Sequence, residues 1–468
     1  MDERFVTLMR SHYGRDMADA LVDTLFQGEA STSVRVNPWH RLPPRGTPVP
    51  WCPQGYYLDE RPAFISDPLL HAGAYYVQEA ASMFVWHAFT RLPLPPGPLV
   101  LDLCAAPGGK STLALSCLAE DALLVCNEAI RARTGALVEN ICKWGRANVV
   151  VTGAEAETFR GVGEAFDVVL ADVPCSGEGM FRKSKEAVNQ WNMDKVRRCQ
   201  ALQRKIVGEA WACLRPGGYL VYSTCTFNPL EDEQNVDWIL GELGGESIDL
   251  QPNPSWALVA ARHTDAFGYH FLPHLTRGEG FFLSVVLKPG TARALRALPR
   301  LTQARSLAPL RTGRHKGRSG DAAPAPAQAA CGVPVVVPED HTLLSDPKGQ
   351  LSAFPRAHVP FLDVLSHAGI RPLQVGTPVA AQKGKGQWRP LQPLAHSPLL
   401  NPAAIPCVPL SRADALSYLR GQALTLPPAT PRGFLLATFA GHPLGFLNQV
   451  GAHANNLYPV PWRIQKVL

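Results

Sequence analysis

Two cysteines stand where strand-like apolar runs give way to turn-forming residues. Phe166-Asp167-Val168-Val169-Leu170 reads as a buried strand and leads into Ala171-Asp172-Val173-Pro174-Cys175-Ser176-Gly177. Gly218-Tyr219-Leu220-Val221-Tyr222-Ser223 reads as another and leads into Thr224-Cys225-Thr226. In an open α/β sheet, ligands bind at the C-terminal ends of strands, so an acid and two thiols are placed where chemistry happens. A thiolate there is a soft nucleophile, the more so beside cations, and Arg182 and Lys183 follow Cys175 closely. Cys104, Cys117, Cys126, Cys142, Cys199 and Cys213 read instead as small buried hydrophobes. Either of the two strand-end thiols alone is as readily structural; the pair in matching positions favours chemistry.

Asp102-Leu103-Cys104-Ala105-Ala106-Pro107-Gly108-Gly109-Lys110-Ser111 is a strand end, a small-residue turn and a helix start. Such a turn lets the backbone approach a ligand, and the helix start offers free N–H groups. Gly109-Lys110-Ser111 suggests a phosphate loop, but that pattern needs a glycine where Cys104 stands, and Gly-x-Gly-x-x-Gly is also missing. A nucleoside cofactor without a phosphate chain fits better. Glu128 ends the next strand, where an acid accepts hydrogen bonds from ribose hydroxyls. Glu155 follows the third strand and is a weaker candidate for the same pocket.

The elements that must position these groups alternate. Strands are expected at 99–103, 122–128, 148–152, 166–171, 219–223 and 280–287, with helices at 110–117, 131–144, 193–214 and 236–243. That alternation means a mostly parallel sheet with helices on both faces. Before it, residues 1–93 form a first unit, with one helix expected over Phe5–Gln27 and a strand over Ser33–Asn37. Residues 94–289 form the central domain, and 290–333 a basic, Ala/Pro-rich linker. Residues 334–400 and 401–468 form two further units, the last with a hairpin-like pair around Gly441. Between Thr291 and Ala330 stand eight Arg or Lys against Asp321 alone, while the whole 468-residue chain carries only +6. Such a tract suits either a polyanionic partner or a solvated linker. Eleven cysteines without a Cys-x-x-Cys pair exclude a disulfide framework and a zinc cluster, so no metal is expected. Free thiols, no secretory signal and no apolar run near 18 residues make the expected location the cytoplasm, with no membrane contact.

Four blocks carry a resemblance: Asp102–Ser111, Asp172–Lys183, Tyr222-Ser223-Thr224-Cys225-Thr226-Phe227-Asn228-Pro229-Leu230-Glu231, and Tyr76-Val77-Gln78-Glu79. The chain resembles the Sun/Nop family of RNA cytosine-C5 methyltransferases. The Gly177–Lys183 extension and the tail Asn455-Asn456-Leu457-Tyr458-Pro459 are similar to the bacterial 16S rRNA methyltransferase F type. The resemblance implies an α/β fold. In it, a Rossmann-like class I methyltransferase domain is flanked by an N-terminal α+β RNA-binding unit and C-terminal PUA-like β-rich domains. It implies S-adenosylmethionine as cofactor, with Cys104, Ala105, Ala106, Pro107, Gly108, Gly109 and Lys110 around its amino-acid and sugar portions. Glu128 would hold the ribose, with Arg133 in the matching helix position. Glu155 stands where the family usually has Asp near the adenine, and Val173 where Ala is usual.

The implied chemistry uses both thiols. Cys225 adds to C6 of cytosine, which makes C5 electron-rich enough to take a methyl group. Asp172 bonds the protonated N3, and Cys175 helps release the product. Phe181 and Trp191 are available to stack on the base. The implied partner is 16S rRNA or the 30S subunit, with a site in the decoding region and the enzyme a monomer. Methylation of tRNA, or a non-catalytic role in ribosome assembly, are the other readings.

Overall fold

The computed structural model of the chain describes residues 2–40, 42–291, 308–309, 332–384 and 386–465. The basic tract expected over 290–333 falls almost wholly outside them. Among the described residues, no helix is long and apolar enough to cross a membrane.

A ten-stranded sheet organises the molecule. Its principal strands are β1 (Leu99–Asp102), β2 (Leu123–Asn127), β3 (Val149–Thr152), β4 (Phe166–Asp172), β5 (Leu214–Thr224), β6 (Phe281–Leu287) and β7 (Pro372–Val375). In space they run β7-β3-β2-β1-β4-β5-β6, with Tyr269–Phe271 and Val259–Ala260 beyond β6 and Glu246–Ser247 also pairing with β6. β1 to β5 are mutually parallel, whereas β6 and β7 run antiparallel to their neighbours. Every residue of β1, β2 and β3 is buried, which is why these strands read as unbroken apolar runs rather than alternating ones. The chain reverses its direction of winding between β1 and β4. This topological switch point opens a crevice at their C-terminal ends.

The N-terminal unit departs from the single expected helix. Glu3–Tyr13 and Arg15–Gln27 are separate helices, broken at Gly14, whose φ of +83° only glycine adopts readily. The first helix buries Phe5, Met9 and Tyr13 against the central domain. Its His12 and the distant His270 both bond one oxygen of Glu233, at 3.1 and 2.8 Å. Burial opposes ionisation of Glu233, but the two imidazoles outweigh it and hold the carboxyl well below the usual range. A four-stranded sheet follows, in the order Thr47–Val49, Cys52–Leu58, Thr32–Val36, Tyr75–Val77. Arg35, fully buried in it, donates to Gln78 Oε1 at 2.8 Å and to Thr112 Oγ1 at 2.6 Å, pinning this sheet to the helix Gly109–Cys117.

Beyond residue 332, strands His341–Ser345, Gln350–Pro355, Thr377–Gly384 and Gln387–Pro390 form one sheet, and Cys407–Pro409, Gly433–Phe439, His442–Gln449 and Ala454–Asn456 another. The hairpin expected around Gly441 is present, with Ala440 and Gly441 both at positive φ. Between strands of the first sheet the chain leaves it altogether. Helix Val359–His367 buries Phe361, Leu362 and Leu365 in the core of the central domain, with Phe361 edge-on to Phe166 at 5.6 Å. β7 then closes the open edge of β3.

Candidate active site

The crevice contains two adjoining chambers that share Cys104, Ala106 and Asp172 as walls. The smaller, about 210 Å³, lies between Tyr76–Glu79 of the N-terminal unit and the turn Asp102–Lys110. Asp102 is buried at the end of β1 and accepts from Ser111 Oγ at 2.6 Å, while its other oxygen has no hydrogen-bond partner. Ala105 N donates to Asn127 O at 2.8 Å, drawing the turn toward the end of β2. Gly108, at φ +109°, starts the helix. Glu128 is almost fully buried; its Oε1 accepts from Ile130 N at 2.8 Å. Its Oε2 lies 3.2 Å from Arg133 Nη1, yet has no aligned hydrogen bond. Arg133 in turn donates to Ala106 O at 2.6 Å. Asp102, with one oxygen free of hydrogen bonds, and Glu128, paired with Arg133, stand near a cradle of small residues and suit a ligand bearing hydroxyl and ammonium donors.

The larger chamber, about 550 Å³, holds both thiols. Cys175 Sγ and Cys225 Sγ are 3.0 Å apart, although fifty residues separate them. The parallel register of β4 and β5 brings this about, since it sets Asp172 opposite Ser223. Cys175 is the partner that keeps its proton. Its hydrogen bond to Cys225, and then burial, push it well above an ordinary thiol. Lys110 Nζ reaches Asp172 Oδ2 at 2.8 Å, and Ser223 Oγ donates to Asp172 Oδ1 at 2.8 Å. Burial works against the Lys110 charge, but Asp172, with help from Cys225, keeps it raised. A fixed cation therefore stands on Asp172, the acid shared by the two chambers.

Two acids that sequence reasoning missed underlie the Cys175 loop. Glu231 accepts from Ser176 N at 3.0 Å and from Ser176 Oγ, while Gln203 Nε2 bonds Glu231 Oε2 at 2.6 Å and Pro174 O at 2.9 Å. Glu178 accepts from Ser176 Oγ at 2.9 Å and Trp191 Nε1 at 2.7 Å. Asn228 Nδ2 spans both acids. The signal was available, because Glu231 closes the same block that carries Cys225. Burial, and then Glu178, push Glu231 up to about 7, and burial does the same to Asp102. From about pH 4.5 to about pH 7 the folded protein thus keeps protons that the unfolded chain has released. These two groups make stability fall as pH rises through that window and level off above it. Glu231→Gln, neutral at every pH, should gain at least about 1 kcal/mol relative to the parent between pH 5 and pH 8. Urea denaturation at the two values checks this.

The structure gathers Cys104, Ala105, Ala106, Pro107, Gly109, Lys110, Arg133, Asp172, Cys175 and Cys225 on the chamber walls, with Glu128 beside Arg133. Glu155 stands exposed at the start of the turn 156–162 and lines neither chamber. Phe181 and Trp191 are not free to stack on a base. Both are buried, each edge-on to Phe5 at 5.4 Å. Nor do Arg182 and Lys183 serve Cys175, because both pair with Glu279, at 2.8 and 3.5 Å.

Comparison with known proteins agrees with this geometry. Residues 1–80 match the N-terminal domain of 16S rRNA methyltransferase RsmF, 90–287 the 16S rRNA methyltransferase RsmB/F model, and 406–464 the methyltransferase RsmF PUA domain. The chain is 32% identical over 422 residues to the ribosomal RNA small subunit methyltransferase F of Klebsiella pneumoniae, covering 88% of this chain and 84% of that one. The chain belongs to the RsmF methyltransferase family. The Cronobacter sakazakii RsmF is 31% identical over 425 residues, with the same coverage. Among solved structures, a methyltransferase homolog protein from Pyrococcus horikoshii covers 62% of this chain and 95% of its own, at a TM-score of 0.53 and 24% identity. NSun6 from Pyrococcus horikoshii with SFG, an S-adenosylmethionine analogue, gives 0.52 at 18% identity, covering 62% and 98%. These two likenesses concern the fold, which is the Rossmann-like methyltransferase fold expected for a Sun/Nop and RsmF-type chain.

Proposed function

We propose that this enzyme methylates C5 of a cytosine in 16S rRNA, in the decoding region, acting as a monomer on rRNA or the 30S subunit. The observation that carries the reading is the pair of sulfurs 3.0 Å apart on the wall of the larger chamber, beside Asp172, which Lys110 pairs at 2.8 Å. S-adenosylmethionine, when bound, supplies the methyl group. The free oxygen of Asp102 fits its ammonium, Glu128 beside Arg133 its ribose hydroxyls, and the turn Cys104–Lys110 packs against it. Asp172, shared by both chambers, faces the methyl donor and the base together.

Cys225 is the attacking group. Its sulfur forms a bond to C6, and the electron pair of the C5–C6 double bond moves to C5, which then takes the methyl. Asp172 hydrogen-bonds the protonated N3 and favours that addition. Loss of the C5 proton to water restores the double bond and expels Cys225 as a thiolate. Cys175, still protonated, donates to the departing thiolate. The base must enter this crevice from a single strand or flipped out of a helix.

The test is transfer of a labelled methyl from S-adenosylmethionine to 16S rRNA, 30S subunits and tRNA, followed by mapping of 5-methylcytosine. Label in 16S rRNA at a cytosine is expected. Label in tRNA alone, or none, would overturn the reading.

A further inference from the structure

Three buried side chains from distant parts of the chain meet outside both chambers. His12 comes from the first helix, Glu233 from the start of the helix Glu233–Leu243 and His270 from the strand Tyr269–Phe271. Their side chains are 3%, 3% and 0% exposed. One ligand atom of each lies within 4.8 Å of the other two. Glu233 Oε1 is 3.1 Å from His12 Nε2 and 2.8 Å from His270 Nε2. Around a tetrahedral zinc ion, ligands about 2.1 Å from the metal stand about 3.4 Å apart, so a shift of about half an ångström admits the ion.

Hydrogen bonds alone leave this cluster in conflict. A hydroxyl carries one proton. Phe227 O can only accept, and at 2.9 Å it takes the proton of Tyr13 Oη. His270 Nδ1, 3.3 Å from the same Oη, is therefore the donor in that contact. A neutral His270 then turns the lone pair of Nε2 on Glu233 Oε1, acceptor against acceptor. A second proton on the ring relieves that contact, but it leaves Glu233 Oε2 and Asp232 Oδ2 buried without hydrogen-bond partners. A divalent cation takes the Nε2 lone pair and a Glu233 oxygen together. Asp232 Oδ2, 3.8 Å from His270 Nδ1, then stands where a carboxylate orients a metal-bound imidazole from behind. Arg262, whose backbone N–H reaches Glu233 Oε1 at 3.1 Å, has its guanidinium on Tyr13 O. The next residue, His263, is exposed and held at φ +58°, a conformation uncommon for a residue with a Cβ. Its ring centre is 5.6 Å from that of His12, and two imidazoles on one tetrahedral ion have centres roughly 5 Å apart.

We propose that His12, Glu233 and His270, with His263 as the fourth ligand, bind a zinc ion that clips the first helix to the catalytic domain. The set contains no cysteine, so the cysteine pattern does not bear on it. The test uses the full chain, stripped with a chelator and titrated with zinc chloride against a competing indicator dye, and separately with cobalt(II) chloride for its spectrum. The parent should take up about one zinc ion per chain, and zinc should raise its Tm. Its cobalt form should show the visible bands of a tetrahedral ion without thiolate charge-transfer absorption. His12→Gln and Glu233→Gln should each weaken zinc uptake at least about 100-fold, the upper end of what loss of an outer partner costs a metal site, and abolish the Tm rise. A parent that takes up no zinc would overturn the inference, and that arm needs no variant to fold. So would cobalt bound with a thiolate band, which places the metal on sulfur, or zinc uptake unchanged in both variants.

Discussion

Cys225→Ala should lose methyl transfer by roughly 10⁴-fold or more, the scale on which removal of an attacking group acts. Binding of S-adenosylhomocysteine should stay within twofold, because Cys225 lines the larger chamber and not the smaller one. The size of the effect follows from the substrate. C5 of cytosine gains carbanion character only after a nucleophile has added at C6, and the other thiols on the walls of this chamber are Cys175 and Cys104, the latter pushed well above an ordinary thiol by burial. Cys175 is a poor substitute, since its proton is held well above the range of an ordinary thiol. Single-turnover transfer to 16S rRNA checks the expectation. A variant that retained more than a few per cent of the parent rate would place the attacking group elsewhere.

Cys175→Ala should behave differently. It leaves Cys225 able to attack but removes the hydrogen bond that stabilises the departing thiolate. Turnover should fall about 10²-fold, as when one donor to a developing anion is removed. Protein and RNA should accumulate as a covalent complex that survives detergent, visible as a band of retarded mobility with labelled rRNA. The double variant, Cys175→Ala with Cys225→Ala, should show no such band. A Cys175→Ala enzyme that turned over normally, with no complex, would remove Cys175 from the release step.

Both thiols, Asp172 and the cofactor turn were legible because each sits where a strand pattern meets turn chemistry, and sequence neighbours alone fix that. What was not legible depends on distant partners. Trp191 and Phe181 look like available rings until Phe5, far away in the chain, covers them. Arg182 looks like a cation for Cys175 until Glu279 claims it at 2.8 Å, and the cations that do line the two chambers are Lys110, Arg133 and Lys195. The Phe5–Gln27 periodicity continues through Gly14, so only the positive φ there reveals two helices. β7 is four residues long and carries one polar residue and a proline, too little pattern to announce a strand of a sheet more than two hundred residues upstream.

The first helix has a consequence for synthesis. Its Phe5 packs on Phe181 and Trp191, and its Tyr13 hydroxyl bonds His270, 257 residues later. At about 5–20 residues per second, Tyr13 waits roughly 13 to 50 s for its distant hydrogen-bond partner His270. The helix is thus completed in stages, Phe181 and Trp191 arriving before the hydrogen-bonding group that fixes Tyr13.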